Sequence, residues 1–288
     1  MYRSLNISKQ SVHKMLNRTM QISEEEAYLR VLIEQIRKDH PTMNSVAMYY
    51  KINPVSIGRD RFLRICKEYG FTAKCKTSGR RTTDSTGVIR FPNRLEGIKI
   101  CRINQAFSSD ITYYEISGCY YYLTFVMDCY SRCILGWNVS SRLLTEHTTL
   151  PALKKAIRAR KGNIKRGVIF HSDGGGQYYD KNFLKLTARY GFENSMCEYA
   201  YENGKAERLN GVIKNNYLRF ARINSLEDLI REVDLAVKKY NYEKPHKALK
   251  YLTPLEFEIK HINLLQPKAL PMTESLEANY QDLGAFSP

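Results

Sequence analysis

Two different periods of hydrophobic positions divide the chain. Before residue 71 the apolar positions recur at helical spacing: Tyr28, Leu29, Leu32, Ile33 and Ile36 form one stripe. Ser23-Glu24-Glu25-Glu26 ahead of it reads as a capping-box start, and His40-Pro41 stops it. A second helical run follows Asn53-Pro54, with Ile57, Phe62, Leu63, Ile65 and Cys66 as its apolar set and Gly70 as its C-terminal stop. From residue 105 the period changes to that of strands. Residues 111–114, 120–127 and 133–139 are rich in aromatic and β-branched side chains, and Ser117-Gly118 supplies a turn, which predicts a three-stranded meander. A helical run over 145–161 follows, then a short strand over 167–171 that ends at Ser172-Asp173. The next helix starts at the N-cap Asp180 and stops at Gly191, residues 192–197 add a short strand, and Asn203 caps a helix running through Glu207 and Lys214.

Between the two patterns, residues 72–102 lack a sustained period, hold Gly79, Gly87, Pro92 and Gly97 as breakers, and carry eight basic against two acidic residues. They read as an extended linker, able to track a phosphate backbone or simply solvated. The predicted organisation is a helical region over 1–71, a basic linker over 72–102, an α/β core over 103–260 and a peripheral tail over 261–288. In the helical region, Arg59, Arg61, Arg64 and Lys67 punctuate the second run. Helix, short turn and basic helix is the layout of a helix-turn-helix DNA reader, and a bundle with solvated basic faces fits the same pattern. The stretch Leu5-Asn6-Ile7-Ser8-Lys9-Gln10-Ser11-Val12-His13 looks like the second half of another such unit.

The composition of the 288 residues, 43% hydrophobic and 26% charged, excludes the disordered and collagen-like classes. The charge changes the picture more: 45 Lys and Arg against 29 Asp and Glu leave +16, which calls for a polyanionic partner. The surplus is +10 over residues 1–100 and +8 over 101–260, with −2 in the remainder. No run approaches the roughly 18 to 20 apolar residues of a membrane span, and the N-terminus lacks a signal core, so nucleic acid is favoured over a membrane and the cytoplasm over secretion. Seven cysteines with no CxxC pair and no zinc-type His spacing read as reduced, mostly buried thiols.

Against this basic background three acidic residues stand out by position. Asp110 lies in the first strand, Asp173 just past the fourth, and Glu207 in the first turns of the late helix. A carboxylate inside an otherwise apolar strand needs a reason, and converging carboxylates are hard oxygen ligands suited to Mg²⁺. The segments carrying them are Ser109-Asp110-Ile111-Thr112-Tyr113, Met127-Asp128-Cys129-Tyr130-Ser131-Arg132, His171-Ser172-Asp173-Gly174-Gly175-Gly176-Gln177-Tyr178 and Tyr201-Glu202-Asn203-Gly204-Lys205-Ala206-Glu207-Arg208. In this order they resemble the catalytic core of the DDE transposase and retroviral integrase superfamily, most of all the second-frame transposase of bacterial insertion sequences. Tyr240-Asn241-Tyr242-Glu243-Lys244-Pro245-His246 and Thr253-Pro254-Leu255-Glu256-Phe257 are similar to that group's C-terminal signature. The resemblance spans roughly residues 40–260. Two departures are the 33 residues between Asp173 and Glu207, about two fewer than the family's usual interval, and Gln105-Ala106-Phe107-Ser108-Ser109 where a Trp usually precedes the first Asp.

The resemblance implies an α/β, RNase H-like fold: a mixed five-stranded sheet with flanking helices, preceded by an all-α helix-turn-helix region. It implies Asp110, Asp173 and Glu207 as catalytic residues and ligands of two Mg²⁺ (or Mn²⁺) ions that drive cleavage of DNA ends and strand transfer. The implied partners are double-stranded DNA, as terminal inverted repeats and target, other copies of the chain on that DNA, and an upstream-frame helix-turn-helix product, all at the bacterial nucleoid. Lys214, two helical turns beyond Glu207, matches the family's lysine at the DNA end. Asn210 shares its face, and Arg208 is a backbone contact. Arg59, Arg61 and Arg64 are DNA candidates in the helical region. Lys154, Lys155 and Arg158 open an acid-free run of 13 residues that also holds Arg160, Lys161, Lys165 and Arg166, a DNA surface or a solvated helix end. A nuclease on the same fold and a DNA-binding protein without catalysis are the alternatives. His171 is read as a packed strand-end residue, Asp128 with Ser131-Arg132 as a turn contact, the three glycines as a flexible turn beside Asp173, and Thr253-Pro254-Leu255-Glu256 as a capping box.

Overall fold

In the computed structural model, which describes residues 8–73, 91–161, 164–197 and 203–265, the sheet is built outward from a long hairpin. Strands β1 (Ala106–Ile116) and β2 (Cys119–Asp128) pair antiparallel through Ser117-Gly118, both with positive φ (50° and 81°), the two-residue turn whose twist matches that of the strands. β3 (Ile134–Ser140) extends the meander on the β2 side, while β4 (Ile169–Ser172) and β5 (Glu193–Met196) add parallel to β1, giving the order β3-β2-β1-β4-β5. The mixed five-stranded sheet expected from the sequence is therefore present, and the fold is RNase H-like.

Alternation along the strands sends side chains to two helical layers. One face packs Phe107, Val126 and Leu135 against α4 (Thr149–Ala159) and α5 (Lys181–Arg189). The other packs Leu123, Phe125 and Met127 against α6 (Gly204–Asn216) and α7 (Leu226–Lys238). Gly136 marks the closest approach of helix to sheet: a Cβ there would lie 2.1 Å from the Ala152 carbonyl oxygen and 2.6 Å from the Ala156 amide nitrogen, both backbone atoms of α4.

The last described helix, α8 (Pro254–Leu265), is opened by the expected capping box: Thr253 N–H donates to Glu256 Oε2 (2.8 Å) and Glu256 N–H to Thr253 Oγ1 (3.2 Å). Its Glu258 is buried and takes two hydrogen bonds from Arg160 (2.7 and 2.6 Å) and one from Ser131 Oγ (2.5 Å). Asp128 adjoins this network and accepts the amides of Asn104, Tyr130 and Ser131, the turn role expected of it. Asn241 mimics a neighbouring strand, accepting from the Ile134 amide and donating to its carbonyl, both at 2.9 Å. His171 is packed at the end of β4, with Nδ1 2.9 Å from Ser195 Oγ. Cys66, Cys129, Cys133 and Cys197 are buried, while Cys101 and Cys119 are exposed.

The chain divides into two compact units, Met1–Ser78 and Gly79–Pro288. The first holds α1 (Lys9–Asp39), α2 (Ser45–Ile52) and α3 (Arg59–Glu68) around Leu29, Ile33, Met48, Phe62 and Ile65. α3 ends as expected at Gly70 (φ 72°), where the amides of Gly70 and Phe71 bond to the Lys67 and Cys66 carbonyls. Two expectations fail here. Ser23 does not start a helix, because α1 runs unbroken from an N-cap at Ser8, whose Oγ accepts from the Ser11 amide. The described part of the stretch read as a second reader, residues 8–13, is consequently the start of α1, and residues 5–7 lie outside the described residues.

Of the expected linker, residues 74–90 lie outside the described residues. The part from 91 onward lies along β5: Arg94 donates its amide to Ser195 Oγ (2.9 Å) and pairs with Glu193 (3.1 Å). Residues 266–288 of the expected tail are also outside the described residues. Among the described residues no helix is long and apolar enough to cross a membrane.

Gly136→Ala is expected to lower stability by about 1–3 kcal/mol, because α4 must retreat from the sheet to admit the methyl group. Denaturant unfolding of the two proteins measures the difference, and equal midpoints would refute this account of the helix–sheet contact.

Candidate active site

The site begins with a strand register. β4 runs parallel to β1 with Ser108 opposite His171, and continuing that register by two residues brings Asp173 level with Asp110. Asp110 pairs with Phe125 across the hairpin, so its side chain projects to the face covered by α6. Along α6 and its N-cap, positions 203, 207, 210 and 214 repeat at steps of four, three and four, one stripe of a helix. That stripe lies against β1. Asn203 Nδ2 donates to the Ser109 carbonyl (3.0 Å), Asn210 Nδ2 to Asp110 Oδ2 (2.8 Å), and Lys214 Nζ to Thr112 Oγ1 (3.3 Å). Asn203 stands at the N-cap position as expected, but its side chain makes no cap bond: its Nδ2 is turned to β1 and its Oδ1 accepts from no helix amide.

Tyr178 underlies the site, buried, with its hydroxyl 2.9 Å from Ser109 Oγ. The glycine turn passes close beside Asp173. The Gly175 amide donates to Asp173 Oδ1 (3.2 Å), and a Cβ on Gly175 would sit 3.1 Å from that same oxygen. Neither Gly174 nor Gly175 has positive φ, so the glycines answer a lack of space.

Electrostatics tie the three carboxylates together. Burial first, then the field of Asp173 and after it that of Glu207, push Asp110 up to about 7, against the lowering effect of the Ile111 amide and of Asn210. Asp173 is raised by burial. Burial, Asp173 and Asp110 also hold the Tyr178 phenol well above its ordinary value. The trio is not a closed ligand cage: among the described residues no three His, Cys, Asp or Glu side chains stand close enough to hold a metal ion. The chemistry of the site nonetheless suits a hard cation. Its donors are carboxylate oxygens that repel one another, and the buried Oδ1 atoms of Asn203 and Asn210 have no hydrogen-bond partner among the described residues.

The DNA candidates fall into distinct environments. Lys214 is half-buried, 5.0 Å from the Tyr113 ring centroid, and burial lowers its pKa. Asn210 is buried with its amide on Asp110, while Arg208 is exposed. Lys154, Lys155 and Arg158 lie on α4, which covers the sheet face opposite α6, so they are not beside the carboxylates. Lys154 and Arg158 are exposed there, whereas Lys155 Nζ rests 3.8 Å over the Trp137 ring. Arg160 is absent from that surface because Glu258 and Asp128 hold it in the interior. In the N-terminal unit Arg59 and Arg64 are exposed, and Arg61 pairs with Glu26 at 2.6 Å. The sequence reading missed Asn203 and Tyr178 as parts of the site. The spacing of Asn203 four residues before Glu207 was the available signal for the first.

Comparison with known proteins bears on the family and the fold. Two models of the integrase core domain match residues 102–201 and 192–254. A 31 kDa protein of insertion element IS600 from Shigella sonnei is 29% identical over 214 residues, covering 73% of this chain and 78% of its own. A protein of insertion sequence element IS986/IS6110 from Mycobacterium tuberculosis is 27% identical over 71% of this chain and 76% of its own. The transposase InsF of insertion sequence IS3A from Escherichia coli is 30% identical over 55% of each chain. Among solved structures, an intasome of simian T-cell lymphotropic virus, in complex with a PP2A regulatory subunit, matches with a TM-score of 0.50 at 15% identity, covering 84% of this chain and 76% of that one. The two integrase core matches together span residues 102–254, and over these residues the chain belongs to the integrase core domain family of the DDE transposase and integrase superfamily.

Because Asp110 has a higher pKa in the folded protein than in the unfolded chain, its contribution to stability is full below about 4 and is lost as pH rises toward about 7. In EDTA, Asp110→Asn should therefore raise stability at pH 8 by at least about 1 kcal/mol, the worth of one pKa unit, and flatten the decline between pH 5 and 8. Thermal unfolding across that range is the check, and an unchanged slope would show that Asp110 is not held among repelling charges.

Proposed function

We propose that this protein is the transposase of a bacterial insertion sequence, cutting DNA at the element's ends and joining the 3′ end to a target. The observation that supports the reading is the field that Asp173 and Glu207 exert on buried Asp110, with Lys214 on the same helical stripe as Glu207. In this reading Asp110, Asp173 and Glu207 hold two Mg²⁺ ions. Bound there, the ions supply positive charge at the attacking and leaving oxygens of a phosphodiester.

The remaining roles belong to the chain. Asn210 fixes the Asp110 carboxylate through its amide, so one oxygen is already oriented before DNA arrives. Asn203, clamped to the Ser109 carbonyl, sets the position of the α6 N-terminus and with it that of Glu207. Lys214, half-withdrawn from water beside Thr112 and Tyr113, meets a phosphate of the DNA end and orients the strand. Arg59 and Arg64 on α3 give the N-terminal unit a helix-turn-helix contact to duplex DNA, and exposed Lys154 and Arg158 add a backbone contact on the far face of the core. No residue forms a covalent bond to DNA: water attacks first, and the released 3′-hydroxyl attacks the target. The protein works as an oligomer on paired DNA ends, within the cytoplasm at the nucleoid.

The test uses duplex oligonucleotides carrying the element's terminal repeats, incubated with Mg²⁺ and a target duplex. The wild type is expected to yield cleaved and joined products. Asp110→Asn and Glu207→Gln should each lose about 10³-fold or more in both steps. Lys214→Ala should weaken end binding by about tenfold, with a shallower salt dependence. Equal activity of wild type and Asp110→Asn would defeat the proposal, and hydrolysis without joining on any end sequence would turn it toward a nuclease.

A further inference from the structure

The Tyr240-to-His246 and Thr253-to-Phe257 signature, together with the segment after Asp128, takes no part in the carboxylate site. A separate cavity of about 490 Å³ is lined by the segment after Asp128, by the loop 248–252 that joins the two signature segments, and by α8, with Ile100 and Lys205 completing it. One wall is aromatic: the Phe257 and His261 ring centroids lie 3.9 Å apart, Tyr130 packs edge-on to both, and its hydroxyl is 3.4 Å from His261 Nε2. The rest combines apolar residues, among them Ile100, Leu249 and Leu252, with a cluster of cations. Arg132, Lys205, Lys250 and Lys260 line it, no Asp or Glu does, and none of the four has an ion-pair partner among the described residues.

The fold places these groups by specific means. The capping box starts α8 so that Phe257, Lys260 and His261 fall on one turn, on the same face. The loop carrying Lys250 is closed by a bridge in which the His246 amide donates to the Leu252 carbonyl (3.0 Å) and the Tyr251 amide to that of His246 (2.8 Å). Arg132 and Lys250 both have left-handed backbone, at φ 64° and 56°. A non-glycine residue keeps that conformation only where its surroundings impose it. Here it delivers two cations to one cavity.

Stacked rings with an unneutralised cluster of cations are complementary to a base-bearing phosphate. The rings offer apolar surface to a nucleobase, and the cations offer charge-assisted donors to a phosphate. The volume lies within the ordinary range for a small-ligand site. We infer that this cavity binds one nucleotide unit, base against the Tyr130–Phe257–His261 wall and phosphate at the four cations. The unit is either a nucleotide of a DNA strand or a free nucleotide, and the inference stands whether or not the carboxylate site cuts DNA.

Calorimetric titration of the full-length chain in EDTA, with dAMP, deoxyadenosine and inorganic phosphate as probes, tests it. dAMP is expected to bind about tenfold or more tightly than either of the others, because only it engages both walls. The double variant Lys250→Glu/Lys260→Glu, at two exposed positions, should weaken dAMP by about tenfold or more, and Phe257→Leu should bring dAMP close to inorganic phosphate. Asp110→Asn should bind dAMP as the wild type does, which separates this site from the carboxylates. Absence of dAMP binding at millimolar concentration, inorganic phosphate binding as tightly as dAMP, or undiminished dAMP binding by the folded double variant would each overturn the inference. A 5′-phosphorylated trinucleotide that binds more tightly than dAMP identifies a DNA strand as the source of the unit, and equal affinity identifies a free nucleotide.

Discussion

A buried carboxylate in the field of two others is the constraint around which the C-terminal unit is arranged. Asp110 loses hydration inside a strand and is repelled by Asp173 and Glu207, which together push its pKa to about 7. Within the hairpin the Ile111 amide offsets part of this. α6 supplies further compensation, and it does so with neutral amides. Asn210 donates to the carboxylate, and Asn203 clamps the helix start to the neighbouring carbonyl. A lysine at position 210 would pair with Asp110 more strongly but would also cancel the negative charge that a cation needs. An amide orients the oxygen and leaves the charge in place. Lys214, the cation of the stripe, is set two turns past Glu207 and hydrogen-bonds Thr112 instead of a carboxylate.

The same economy of charge explains which parts of the molecule can be read from its sequence. The strands, the Ser117-Gly118 turn, the Asp180 and Thr253 caps and the Gly70 stop are local: each depends on residues within a few positions of one another. The three carboxylates were legible because they interrupt patterns that are otherwise apolar or basic. What escaped depends on partners far along the chain. Arg160 sits in an acid-free run and reads as surface, yet Glu258, 98 residues later, takes it inside. Asn203 reads as a helix cap because the bond that claims its amide comes from Ser109, 94 residues earlier. The bond from Asn210 to Asp110, 100 residues away, was illegible for the same reason.

The misread start of α1 has a different cause. Ser23 followed by three glutamates satisfies a capping box, but glutamate is also a good helix former and serine costs little inside a helix. The local pattern therefore permits both a start and a continuation. Ser8, with its own bond to the Ser11 amide, begins the helix fifteen residues earlier, and nothing between them breaks it.

Basic residues in this chain also cannot be counted as one population. Arg160 is spent on holding α8 to the core, Arg61 on Glu26 within the N-terminal unit, and Lys155 on the Trp137 ring. Those charges add to the +16 without being offered to a polyanion. Others are set apart by geometry: Arg64 on α3, Lys154 and Arg158 on the α4 face, Lys214 beside the carboxylates, and the four around the aromatic wall. A long nucleic acid gains affinity from all of these through counterion release, whatever their order. Selectivity has to come from the places where a cation is paired with something else that recognises the ligand. Two such places lie in the C-terminal unit: Lys214 with Tyr113 and the carboxylates, and Arg132, Lys205, Lys250 and Lys260 with the Tyr130–Phe257–His261 wall.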